Sequence, residues 1–587
     1  MGKFKYDLLP KQKVHKSNLN VEIDVYPYTT ELIDELKNIK ILNRLKEVPQ
    51  LGTIKVSKKL IKTRYDYIML QLYLHQLVKG NLERFLKLTY NNRVKEKEFS
   101  GNYKYVSNSE EPTIGDVLQI LTIVYNIGHF YNTFTASRAI VMEASENELF
   151  FHKILEASDS ERFKKVADNI LSSRNYQRLH LLNSILILEK CDQTKQSVLL
   201  ALEILYAYIN EALLPEDCKL KYVFKIFQNV RTISYMAYDL QIAKMPLTID
   251  LCDKQGMLLL LKEILSEYNN HKHLNYFISS ITKLLDDTVY NENSNAICYY
   301  KISRRMVSLI DKELRNSDEK YYEHYFLDKN SALNGTYSHK RDYDQEFILK
   351  VTFLEENRGL SMLLLSTLEK INNIRVGYYD RHSGEQTILV SIKKNCDIVS
   401  KTKAAFKVMQ CTVKFLRRIP SIKSTDYRFL LCVKFFLFYL FGETPLLIKP
   451  TIDKEKCVIC TRGKNARVKD IKTLLSNSIG TKDENHEVEF LAGRLENDSV
   501  NDTSIMIPAS IIVFRKENER KMSEFDGLIL YPMRKDKQII FLEAKNRYRQ
   551  PNFAKNCLSE KLSLFSFSYD KEDIKVVDYD AYWEYSL

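Results

Sequence analysis

The chain has 587 residues, 45% hydrophobic and 28% charged, which places it among globular proteins of three or more domains and excludes a disordered polymer. Its net charge of +13 comes from 88 basic and 75 acidic residues. Residues 455–587 carry 22 of each, so the whole excess lies in residues 1–454, as a nucleic-acid grip or a solubilising surface would have it.

Residues 1–55 are a mixed segment, with a short strand predicted at Val21–Tyr28 and an amphipathic helix at Thr30–Leu45. From 56 to 330 the pattern is helical almost without a break, and Gly and Pro are scarce over the whole chain, at 16 and 12. An α-helical bundle or irregular solenoid is expected there, without a fixed repeat period. Asp66–Lys79 and Leu82–Thr89 read as consecutive helices. Thr113 opens another, with Asp116 in its first turn where the helix dipole favours a carboxylate. The stripes Val198, Leu202, Leu205, Ile209 and Leu258, Leu261, Leu265, Tyr268 have helical spacing and read as core packing. His129 and the pair His271 and His273 stand apart from other candidate ligands and read as core or solvated side chains.

Residues 316–344 are a polar linker. The segment 345–442 changes pattern: strand Glu346–Phe353, helix Gly359–Lys370, strands Ile374–Tyr379 and Thr387–Ile392, helix Lys401–Arg418. This order predicts a small α+β layer like half of a ferredoxin-like fold, followed by a buried helix at Asp426–Phe441. Phe429–Phe441 is the most apolar run of the chain and is too short to span a bilayer. A Gly/Pro-containing stretch at 442–456 reads as the last domain boundary. Cys457 and Cys460 then have the spacing of half a tetrahedral zinc site, but no second half follows, so two core cysteines are expected. The ten cysteines show no disulfide framework, and the N-terminus MGKFKYDLLP has no apolar signal core. A cytoplasmic protein with no membrane partner is the expectation.

The last domain, 455–587, holds the chemistry. A helix is predicted at Asn485–Leu495, a strand at Ser504–Phe514 with Pro508 marking an edge or bulge, and then a charged turn, RKENERKMSE. Two apolar runs, Leu528–Tyr531 and Ile539–Leu542, flank a polar connector and read as a hairpin. Asp526 sits at the mouth of the first strand, and Glu543 and Lys545 at the far end of the second. Strand alternation puts Ile539, Phe541, Glu543 and Lys545 on one face. Folding the hairpin symmetrically places Asp526 roughly opposite Lys545 and diagonal to Glu543. Glu487 shares a helix face with Phe490, Leu491 and Leu495, with Glu484 and Glu489 as alternatives. A helix from about Asn552 to Phe565 follows. Arg547, Arg549 and Lys555 lie just beyond the strand end and are candidate phosphate contacts.

Asp-Gly opening one strand and Glu-x-Lys closing the next resembles the PD-(D/E)xK, or restriction-endonuclease-like, nuclease superfamily. The resemblance covers about the last 130 residues; Phe525 stands where the motif's proline would be. The order helix, strand, hairpin, helix is that of the superfamily core. The expected fold class is therefore a multidomain chain: the large, mostly α-helical N-terminal region and small α+β segment read from the pattern, and, from the resemblance, a C-terminal α/β nuclease core. The resemblance implies that Asp526, Glu543 and Glu487 hold Mg²⁺ or Mn²⁺ and that Lys545 positions the attacking water. It also implies nucleic acid as the partner, DNA favoured over RNA, with a homodimer if both strands are cut; for the helical region a protein partner is the alternative expectation.

No phosphate-cradling G-x-x-x-x-G-K-[ST] loop and no His-Asp doublet occur. A standalone nuclease of bacterial phage defence, or one of DNA repair or mobile elements, is expected. The competing expectation is a non-catalytic helical scaffold carrying a degenerate nuclease fold.

Overall fold

The computed structural model describes residues 2–9, 19–52, 62–95, 98–99, 110–242, 249–265, 272–285, 293–314, 343–380, 385–416, 430–441, 446–450, 458–460, 504–507, 511–515, 520–525, 527–533, 539–545, 553–565 and 576–583. Most of these residues are helical, with a few small sheets. Among the described residues no helix is long and apolar enough to cross a membrane. The chain divides into two compact units: Met1–Asn295 with Lys301–His339, and Ala296–Tyr300 with Lys340–Leu587.

Unit 1 opens with an antiparallel hairpin, β1 (Gly2–Leu9) and β2 (Leu19–Val25). Helices α1 (Pro27–Asn38), α2 (Ile41–Leu45), α3 (Arg64–Asn81), α4 (Glu83–Leu86), α5 (Ile114–Ile127), α6 (Thr133–Glu146) and α7 (Glu148–Leu155) follow. Then come α8 (Glu161–Ser172), α9 (Leu179–Lys190), α10 (Gln196–Ile209), α11 (Lys219–Ile242), α12 (Lys254–Leu265), α13 (Lys272–Leu285) and α14 (Asn293–Leu314). The helix predicted at Thr30–Leu45 is two helices. It starts earlier because Pro27 supplies the fixed φ of a first helical residue, and it breaks at Lys40, whose φ is 61°.

Helix α5 organises this unit. All fourteen of its residues are buried, the signature of a helix packed on every side, and α1, α2, α3, α9, α10 and α11 pack against it. Its polar side chains Asp116, Gln119, Thr122 and Asn126 each make at least one hydrogen bond. Gln119 accepts from Tyr26 N–H (3.1 Å) and donates to the Asp24 carbonyl (2.8 Å), tying α5 to the end of β2. Thr122 and Asn126 donate to carbonyls one turn back. The first turn is closed by a capping box: Asp116 N–H donates to Thr113 Oγ1 (3.1 Å) and Thr113 N–H to Asp116 Oδ2 (3.0 Å). Thr113→Ala removes one of these partners and is expected to cost about 1 kcal/mol in urea unfolding followed by circular dichroism. At the other end Gly128 lets α9 come close, since a Cβ there would lie 2.0 Å from the His180 carbonyl oxygen. The stripe read on α10 is too narrow: Ala201, Ile204 and Tyr208 are buried besides Val198 and Leu205, while Leu202 and Ile209 are only partly buried. On α12, Leu261 and Leu265 are buried and Leu258 partly so; Tyr268 lies outside the described residues.

Unit 2 begins with the α+β layer. Strand β3 (Tyr343–Phe353), helix α15 (Arg358–Leu368), strands β4 (Ile374–Asp380) and β5 (Gln386–Lys393) and helix α16 (Ile398–Leu416) follow in the order read from sequence. The sheet order is β3-β5-β4, antiparallel throughout. Helix α17 (Leu430–Leu440) packs against α16 and β3. The stretch read as a boundary contains β6 (Leu446–Pro450). After β7 (Val458–Cys460) come β8 (Ser504–Ile507), β9 (Ile511–Arg515), β10 (Lys521–Phe525), β11 (Gly527–Leu530) and β12 (Ile539–Lys545). Helix α18 (Phe553–Ser563) and β13 (Val576–Trp583) complete the unit.

Two expectations fail in this part. The single strand Ser504–Phe514 is two strands in two sheets, β8 and β9, divided around Pro508, which has no N–H to give a ladder. The charged stretch RKENERKMSE is not all turn: from Lys521 it becomes β10, an antiparallel partner of β9, with Ile511 opposite Phe525. The sheets are β10-β9-β6 and β13-β12-β11-β8-β7. In the five-stranded sheet only β12 and β13 are parallel, and α18 is the crossover helix packed on both.

Candidate functional site

The hairpin of β11 and β12 pairs Gly527 with Leu542, Leu528 with Phe541, Ile529 with Ile540 and Leu530 with Ile539. This register differs by two residues from the symmetric fold that set 526 against 545. One residue of the difference is Tyr531, which lies past the last ladder pair, Leu530 with Ile539, and so lengthens the connector. The neighbouring Pro532 carbonyl accepts from Gln410 Nε2 of α16 (2.6 Å), which fixes the turn. Strands β10 and β11 belong to different sheets and meet at position 526. Asp526 itself lies outside the described residues, as do Glu487, its alternatives Glu484 and Glu489, and Arg547 and Arg549.

Glu543 is described, and its surroundings were not foreseen. It is 0% exposed, on the face of β12 that carries Phe541. Phe541 belongs to a cluster with Phe441, Phe525 and Phe565, with ring centroids 5.0 Å apart for Phe525–Phe541 and 4.9 Å for Phe441–Phe565. Phe565 comes from just after α18 and Phe441 from just after α17, so three chain segments wall this side of the sheet. A carboxylate beside such a cluster needs a cation. Lys561 of α18 provides it: Nζ donates to Glu543 Oε1 (2.6 Å) and Oε2 (2.5 Å), and also to the Glu524 carbonyl of β10 (2.6 Å). Three N–H donors thus meet three acceptors, and one ammonium joins α18, β12 and β10. The Glu524 side chain pairs in turn with Lys521.

Sequence reasoning assigned the ammonium beside Glu543 to Lys545. Lys545 ends β12, in register with Trp583 of β13. Lys561 was missed, although it left a trace. Leu558 and Phe565, three residues before and four after it, are buried, so Lys561 interrupts the apolar side of its helix. Lys555, offered as a phosphate contact, is exposed on α18. Among the described residues no group of three or more His, Cys, Asp or Glu is placed to hold a metal ion. No family model, curated protein or solved structure matches the chain.

Proposed function

We propose that the C-terminal part of unit 2 hydrolyses phosphodiester bonds of nucleic acid, DNA favoured, using a divalent cation. The observation that carries this reading is the Glu543 carboxylate, fully buried at the end of β12 and neutralised by Lys561. A buried ion pair adds little net stability compared with well-packed apolar residues of the same size, so its presence calls for another reason. A hard oxygen donor at the end of a sheet strand is that reason if it serves Mg²⁺ or Mn²⁺, and a carboxylate fits both ions. Glu543, Asp526 and Glu487 would hold the ion in a restriction-endonuclease-like core, and Lys545 would orient water. When bound, the ion would polarise the scissile phosphate and stabilise the leaving oxygen. Lys561 neutralises Glu543 and fixes its rotamer, and the phenylalanine cluster keeps water from its inner side. Arg547, Arg549, Lys555 and the basic surface of residues 1–454 would carry the phosphate backbone. A standalone role in phage defence, repair or mobile-element processing is compatible with such an enzyme.

The test is incubation of the purified full chain with supercoiled plasmid, linear duplex, single strands and RNA, in Mg²⁺, Mn²⁺ or EDTA. Cleavage of at least one substrate with either ion, and none in EDTA, is expected. Intact substrates in every condition would end the nuclease reading and leave the second one, a non-catalytic scaffold. One observation favours that second reading: Lys561 already engages both oxygens of Glu543.

A further inference from the structure

Unit 1 holds two guanidiniums whose side chains make no hydrogen bond among the described residues. Arg64, the first residue of α3, is 4% exposed, and Arg231 of α11 is half-buried. Nε of each is buried without a hydrogen-bond partner. Nε of Arg44 and Arg138 is unpartnered too, but the unit's other buried guanidiniums donate through a terminal nitrogen, as Arg138 does to Tyr176 Oη (3.1 Å). Arg44 donates to the Ile127 carbonyl (3.2 Å) and the His129 carbonyl, and Arg162 pairs with Glu203 (3.1 Å). Arg64 and Arg231 face rings instead, 5.8 Å from the Tyr67 centroid and 4.7 Å from that of Tyr125. Burial pushes the Arg64 guanidinium down to about 10, so it is still charged at neutral pH, with Asp239 the carboxylate acting on it.

The cluster continues through two histidines. Tyr125 meets the His180 ring edge-on at 4.8 Å, and His180 stacks on His129 at 4.1 Å with planes 7° apart. Tyr67 Oη donates to the Arg231 carbonyl (3.1 Å), closing the set on the Arg64 side. Nε2 of both histidines is buried and unpartnered. Burial, with Arg64 nearby, holds both well below the ordinary histidine range, and the His180 ring is hydrogen-bonded to the backbone of Gln177. With that ring nitrogen donating to the Gln177 carbonyl, Nε2 presents a lone pair.

Two guanidiniums, one carboxylate and unused polar atoms in a tyrosine- and histidine-lined interior are an unfinished hydrogen-bond set. Leaving a buried charge uncompensated costs several kcal/mol, which a ligand would recover. Forked guanidinium donors match the oxygens of a phosphoryl group, and a singly protonated phosphate also has a hydroxyl to offer a histidine lone pair. We infer that Arg64 and Arg231, with the His129–His180 stack and Tyr125, form a binding site for a phosphate-bearing anion inside the helical unit. This site is independent of the chemistry proposed for unit 2.

The experiment uses the full chain and inorganic phosphate, against chloride at matched ionic strength. Phosphate is expected to raise the thermal midpoint by several degrees and to broaden the ³¹P resonance of free phosphate in the presence of wild-type protein. Arg64→Met and Arg231→Met are each expected to weaken phosphate binding at least about tenfold, the loss of one charge-assisted bidentate contact. Arg162→Met, which removes a paired guanidinium elsewhere, should retain the phosphate response. No midpoint shift and no line broadening with the wild type would overturn the site. So would an unchanged phosphate response in either arginine variant. If both variants fail to fold, the ³¹P measurement on the wild type still decides.

Discussion

Glu543→Gln lowers the cleavage rate at least about a thousandfold while the protein stays folded. This is the expected result if Glu543 is a cation ligand, since an amide offers a neutral oxygen in place of a charged one and the transition state loses that field. Gln is the informative substitution because it keeps the volume beside Phe541 and can still accept from Lys561. The folded state is protected by an asymmetry in the pair. The Lys561 side chain is 24% exposed and can carry its ammonium to water, whereas Glu543 is 0% exposed and cannot. Initial rates on the preferred substrate at saturating Mg²⁺, with thermal unfolding measured in parallel, check both halves. A variant that cleaves within about tenfold of wild type would remove Glu543 from the mechanism, because loss of a single transition-state donor already exceeds that. Asp526→Ala belongs in the same series.

Lys561→Met reads the other side of that asymmetry. It strands a carboxylate beside four phenylalanines, and breaking a buried pair from one side typically costs about 3–5 kcal/mol. The Glu543→Gln, Lys561→Met double variant removes the stranded charge. It is expected to recover most of that loss, giving a coupling energy that neither single variant shows. Urea unfolding of the four proteins measures the cycle. If Glu543 binds a divalent cation, Mg²⁺ should also stabilise Lys561→Met more than wild type, since the ion then supplies the missing charge. A Lys561→Met protein as stable as wild type would mean that the contact with Glu543 is not what neutralises the carboxylate.

What the sequence made legible was local. Thr113 and Asp116 announced the start of α5 because a capping box lies within four residues. The strand–helix–strand–strand–helix order of 343–416 and helix α18 were readable from periodicity for the same reason. Sheet membership was not, because it depends on partners far along the chain. Nothing in Ser504–Phe514 alone says that β8 joins β11 while β9 joins β6. Half of the difference in hairpin register lies in Tyr531, an apolar residue that falls in the connector. The polar sites were hidden more deeply. His129 read as an isolated core or solvated histidine, and only the packing of α9 near Gly128 brings His180 onto it. Arg64 and Arg231 are two ordinary basic residues in sequence, and Lys561 is one lysine among many until its helix is laid against Glu543.

Lys561 follows Glu543 by eighteen residues. At the usual pace of ribosomal synthesis that spacing is a delay of about 1 to 4 s. For that long after Glu543 leaves the ribosome, Lys561 has still to emerge, and so has Phe565 of the aromatic wall. Glu543 must stay in water for that interval, so β12 cannot seat against Phe441 and Phe525 as soon as it emerges. Closure of this end of the sheet therefore waits for α18, and the carboxylate is sequestered only once that helix has docked.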